Sequence, residues 1–153
     1  MAEQKDFPTS SPQRSPHALF SLASFIDSKR VQNKLLQFRG FFLDSGSSYS
    51  DSAHSFIFSF KNKDGLEPFK LHVKRTDKAI YGHSSHGPIF GGGHDFKIVS
   101  NAGSNTNSYT NPGHSYVQVA GYKYGASDTQ NLLAGSYNFQ PHEIEVFYQT
   151  YKN

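Results

Sequence analysis

Cysteine and tryptophan are absent from this 153-residue chain, and methionine occurs once. Without thiols there is no disulfide, no thiolate zinc site and no cysteine nucleophile. None of the nine asparagines begins an Asn-x-Ser/Thr acceptor, and the opening MAEQKDFPTSSPQRSP has no apolar stretch of the kind a secretory signal needs. No apolar run approaches the roughly 20 residues that span a bilayer, so a cytoplasmic protein with no transmembrane segment is expected. Excess charge on the body is missing as well. The first forty residues carry six basic and three acidic side chains, and the rest carry nine of each. The pI near 9.0 therefore belongs to the N-terminal stretch. A nucleic-acid binder needs a basic face on its folded body, so no nucleic-acid partner is expected.

What is present is aromatic: fourteen Phe and nine Tyr. A core built on rings with aliphatic fill follows. Residues 1–17 are rich in Pro, Ser and Gln and predict a disordered tail. Over 18–37, Leu19, Leu22 and Ile26, continued by Val31, Leu35 and Phe38, fall at helical spacing and predict a helical segment interrupted at Asp27 and Ser28. Short strands are expected from residue 38 onward. Phe38 to Leu43 is the first; Phe56 to Phe60 reads as a central strand, and Asp64-Gly65 as a turn. Phe69, Leu71 and Val73 alternate with Lys70, His72 and Lys74; Phe96 and Ile98 alternate with Asp95 and Lys97. Residues 100–116 read as a long surface loop or a tight corner held by Asn and Ser, Val117 and Val119 as the start of a strand, Asp128 to Leu133 as a helical turn, and HEIEVFYQTY as a closing strand. Without a βαβ rhythm, the expected fold is mainly β (α+β): a two-layer antiparallel sandwich over 38–153 with one or two flanking short helices.

The segment AIYGHSSHGPIFGGGHDFKIV, residues 79–99, concentrates the chemistry. Its glycines and proline demand turns, and His83, His86, His94 and Asp95 supply polar groups. Three histidines and a carboxylate could hold a divalent ion, but imidazoles bonding to backbone and stabilising turns account for them better, so no metal is expected. Ser84 or Ser85 with His94 and Asp95 has the residue types of a hydrolase, with Glu143 and Glu145 as further acids. No Gly-x-Ser-x-Gly elbow accompanies them. GPIFGGGHD lacks the Lys-Ser/Thr of a phosphate loop, and no cofactor is expected. The favoured reading is a binding surface formed by His83, His86, Phe90, Gly91, Gly92, Gly93, His94, Asp95 and Glu145. The alternative is a small hydrolase-like enzyme using His94, Asp95 and Glu145.

Three pieces in order, HSFIFSFKN, AIYGHSSHGPIFGGGHDFKI and LLAGSYNFQPHEIEVFY, resemble the TLDc domain family over about Phe38 to Tyr148. The resemblance implies a two-sheet sandwich with short helices and a cytosolic role in protection against oxidative stress. For several members it also implies binding to the vacuolar proton-pumping ATPase (V-ATPase). It attaches no enzymatic reaction. The positions it carries over are Gly87, Phe90, Gly91, Gly93, Asp95, Gly135 and Glu145. The usual YRASRDGF-like N-terminal part and two tryptophans have no counterpart here, where FRGFFLDSGSSY and IEVFY stand. A relative lacking that part is implied, with an inactive truncated relative as the further alternative.

Overall fold

The computed structural model describes residues 20–28, 31–40, 47–83 and 86–148. Among them eleven strands follow in chain order: β1 (Phe20–Ser28), β2 (Val31–Gly40), β3 (Ser48–Ser50), β4 (Phe56–Ser59), β5 (Phe69–His72), β6 (Ile80–Gly82), β7 (Ile89–Phe90), β8 (Phe96–Lys97), β9 (Ser108–Thr110), β10 (Asn138–Phe139) and β11 (Glu143–Tyr148). One helix, α1 (Ser127–Leu132), and two single 3-10 turns, Thr76–Lys78 and Ala102–Ser104, complete them. A five-stranded sheet runs β11-β1-β2-β4-β5 and a six-stranded sheet runs β10-β9-β8-β7-β6-β3. Every pair of neighbours is antiparallel. One core joins them: Ile57 and Leu71 from the first sheet pack with Ile80, Phe90, Phe96 and Phe139 from the second, together with Tyr116 and Leu133. The mainly β sandwich is therefore the fold.

The helical expectation over 18–37 is overturned by the β1–β2 hairpin. The reason is a second periodicity in the same residues. Antiparallel register aligns Leu71, Ile57, Phe38, Leu22 and Val146 in one row across all five strands. Leu22 and Phe38 thus take the row of two core residues, and pairing on both sides of each strand outweighs a helical stripe that would have to find its own partner. Asp27 and Ser28 lie at the end of β1, beside a register shift between Ile26 and Ser28. The tail expected over 1–17 lies outside the described residues, as do Ser84 and Ser85.

Other boundaries also moved. The first strand from residue 38 is the last part of β2, and the serine-rich loop contains β3 at a sheet edge. At the Asp64-Gly65 turn, Asn62 Oδ1 accepts the N–H groups of Asp64 (3.2 Å) and Leu66 (2.9 Å), while Gly65 takes a φ of 69°. Val117 and Val119 do not start a strand; an isolated bridge joins Val73 and Tyr116. Residues 100–116 resolve into a 3-10 turn, β9 and a buried corner at Pro112, Gly113, Ser115 and Tyr116.

Candidate functional site

The glycine-rich turn between β7 and β8 is shaped by how closely two loops approach. Gly91 has a φ of 87°, and a Cβ built there would stand 2.0 Å from Asp95 Oδ2. A Cβ on Gly93 would meet the His114 ring at 2.4 Å. Only hydrogen fits at these points. The Gly91 N–H donates to Ala79 O (2.9 Å) and the Gly92 N–H to Ser115 Oγ (2.8 Å), which ties the turn to β6 and to the 111–116 corner.

Asp95 joins the two loops. Its Oδ1 accepts the N–H groups of Gly113 (2.7 Å), His114 (2.8 Å), Ser115 and Tyr116 (both 3.2 Å), and Oδ2 accepts Ser115 again at 2.9 Å. Its main-chain O takes the Asn111 N–H at 2.9 Å. Asp95, expected in the binding surface, is 0 % exposed and so presents no side chain to a partner. Burial raises its pKa against the opposing pull of those backbone N–H groups. Beside it, Tyr116 Oη donates to Ala79 O at 2.7 Å, and burial pushes that phenol's pKa upward.

Above this buried lock, the outer face of the six-stranded sheet carries a different set of groups. Register places Tyr49, Tyr81, Ile89, Lys97, Tyr109 and Asn138 in one row, out of phase with the core row of Ile80, Phe90 and Phe96. The His94 ring stacks on Tyr81 (6.0 Å between centroids, 24°) and lies 6.1 Å from the Tyr109 ring, with Nδ1 2.5 Å from Tyr109 Oη. Tyr49 and Tyr137 extend the rings at 4.9 and 5.2 Å from Tyr81 and Tyr109. His83 and His86 face each other with Nδ1 atoms 2.8 Å apart, and the His83 ring lies 6.0 Å from Tyr81.

Protonation follows from these neighbours. Burial first, then Lys97 and His86, lower the pKa of His94, with Asp95 acting the other way. Desolvation, Lys97 and His83 lower that of His86. Burial, helped by Tyr137 and Tyr124, pushes Tyr109 up to about 12. The Tyr109–His94 pair is therefore neutral near pH 7, with the hydroxyl donating to Nδ1 and the ring proton on Nε2. Only one bridging proton fits between the Nδ1 atoms of His83 and His86.

The structure brings His83, His86 and His94 to one face and Gly91, Gly92 and Gly93 to the turn beside it. Phe90 is 1 % exposed and packs on Phe96 in the core, where it lies beneath the loops rather than on a surface they present. Glu145 stands in β11 of the five-stranded sheet, paired with Ala23, whereas His94 and Asp95 precede β8 of the six-stranded sheet. Among the described residues, no three His, Asp or Glu side chains are grouped to hold a metal ion, and no helix is long and apolar enough to cross a membrane. Sequence reasoning missed Tyr49, Tyr81, Lys97 and Tyr109 as surface partners. Their signal was the polar half of each alternation, visible only once register joined four short strands.

A family model described as the TLDc domain matches residues 31–149. No curated protein and no solved structure matches the chain.

Proposed function

Because the chain belongs to the TLDc domain family, we propose that it acts as a non-catalytic interaction module in the cytoplasm, with the vacuolar proton-pumping ATPase as its partner and protection against oxidative stress as its setting. One observation carries the non-catalytic part. Asp95, the acid a hydrolytic set would need, is buried and accepts four backbone N–H groups. A carboxylate engaged in this way positions a loop and has little freedom to orient a base. Tyr49, Tyr137 and His86 are exposed on the sheet above, with Tyr81, His94 and Tyr109 half-buried between them, an arrangement suited to contact because rigid scaffolds commonly present their binding groups this way.

The test is capture of purified pump subunits by the full chain, followed by proton-pumping assays on membranes with and without it. Retention of the subunits, together with a changed pumping rate, is the expected result. Hydrolysis of ester or peptide substrates that disappears in His94→Ala would instead make the chain an enzyme.

A further inference from the structure

The outer face of the six-stranded sheet carries two lysines over tyrosine rings. Lys97 Nζ lies 5.7 Å from the centre of the Tyr109 ring and Lys78 Nζ 5.5 Å from that of Tyr49. The one ion pair among the described residues is Lys63 with Asp64, so neither lysine is paired with a described acid. Three imidazoles lie among these groups. The charged groups acting on His86 and His94 are Lys97 and the neighbouring imidazoles, with Asp95 the one acid, and its oxygens are already engaged by backbone. Tyr49, Tyr81, Tyr109 and Tyr137 border the same face. The local balance is thus positive on a body whose overall charge is even, and acidification makes it more so.

We propose that this face, from Tyr49 through Tyr81 and His94 to Tyr109, binds an acidic peptide segment, and binds it more tightly as His86 and His94 become protonated. The inference rests on the reading of the chain as an interaction module and specifies the chemistry of its partner. Carboxylates complement Lys78 and Lys97, and the Tyr hydroxyls and imidazole N–H groups are donors suited to them. Nucleic acid fits less well. The ring faces that bases would need are taken by the stacking of His94 on Tyr81, by the Tyr49–Tyr81 and Tyr109–Tyr137 contacts and by the lysines over Tyr49 and Tyr109. Protonation of His86 and His94 couples to binding. An arriving carboxylate favours their charged forms, which Lys97 otherwise opposes, so anion binding takes up protons and each strengthens the other by the same factor.

The experiment measures binding of fluorescent peptides of about twelve residues to the full chain by anisotropy. One peptide is rich in Asp and Glu with interspersed Leu; the second replaces each acid by Lys; the third probe is an oligothymidylate of similar length. Between pH about 7.5 and about 5, affinity for the acidic peptide is expected to rise at least about threefold. Lys97→Glu should weaken it about tenfold, while Lys70→Glu, the same charge change on the other sheet, leaves it intact. His86→Ala, at an exposed site, should flatten the pH response without altering the melting temperature; Lys97→Gln serves if the charge reversal does not fold. The proposal is overturned by absent binding, equal loss in Lys70→Glu, a flat pH profile, or tighter binding of the oligothymidylate. Pump capture that survives Lys97→Glu in a chain that binds no acidic peptide would leave the module reading standing and sink this one. Peptide binding with no pump capture would keep the module reading and this proposal and remove the pump as the partner.

Discussion

Replacing Asp95 by asparagine keeps the volume but exchanges an accepting oxygen for an NH2 group facing backbone donors. With the amide oxygen at the Oδ1 position, the new NH2 faces the Ser115 N–H and the charge that the four backbone donors share is lost, so Asp95→Asn should lose about 1–3 kcal/mol in urea unfolding. Gly91→Ala brings a Cβ within 2.0 Å of that same carboxylate at a φ of 87°, and about 2–3 kcal/mol of destabilisation is expected from the same measurement. His94 occupies left-handed backbone at a φ of 52°, so His94→Gly should hold or raise stability while removing the contact with Tyr109. The pKa of His94 is lowered from 6.5 in the fold, so the unfolded chain binds more protons as pH falls past that value. The contribution of His94 to stability is therefore complete above pH 6.5 and is lost as pH falls toward its folded pKa. Asp95 acts in the opposite direction through its raised pKa, so the informative comparison is with His94→Gln. That variant should show a smaller drop in urea midpoint between pH about 7 and about 5.

At the scale of elements, β1 governs the first sheet. It separates β2 from β11, yet it precedes residue 31, where the family match begins. A chain trimmed to residues 31–149 would leave β2 with an open edge and β11 without its neighbour. It should melt at lower temperature, less cooperatively, and with aggregation visible in size-exclusion chromatography. This is also where the sequence was least legible. Phe69 to His72 and Glu143 onward could be read because period two dominates there, and Phe56 to Ser59 because it is a short, nearly unbroken apolar run. In 18–37 two periodicities coexist, and the choice between them lay in the alignment of Leu22 and Phe38 with Ile57 and Leu71, more than fifteen residues away. The glycine turn was legible as a turn because Gly91, Gly92 and Gly93 leave few alternatives. The role of Asp95 was not, because its donors come from Gly113 to Tyr116. Nor was the separation of Glu145 from His94, which depends on which sheet each strand joins.

Across the whole molecule, the most protected backbone should not be confined to strands. The amides of Gly113 through Tyr116 belong to a loop, but they are bonded to a buried carboxylate. Hydrogen exchange should show them as slow as the amides of β8 and β9, and fast in Asp95→Asn, while the exposed amides near Gly103 exchange quickly in both. The order of the first sheet has a consequence during synthesis. Its first-made described strand, β1, hydrogen-bonds to the last-made, β11, across some 120 intervening positions. While a ribosome is still translating the residues between them, β1 has β2 on one side and nothing on the other. Until residues 143–148 leave the exit tunnel, any protection of that edge must come from outside the domain, and a chaperone holding the nascent hairpin would shield the edge that β11 later occupies.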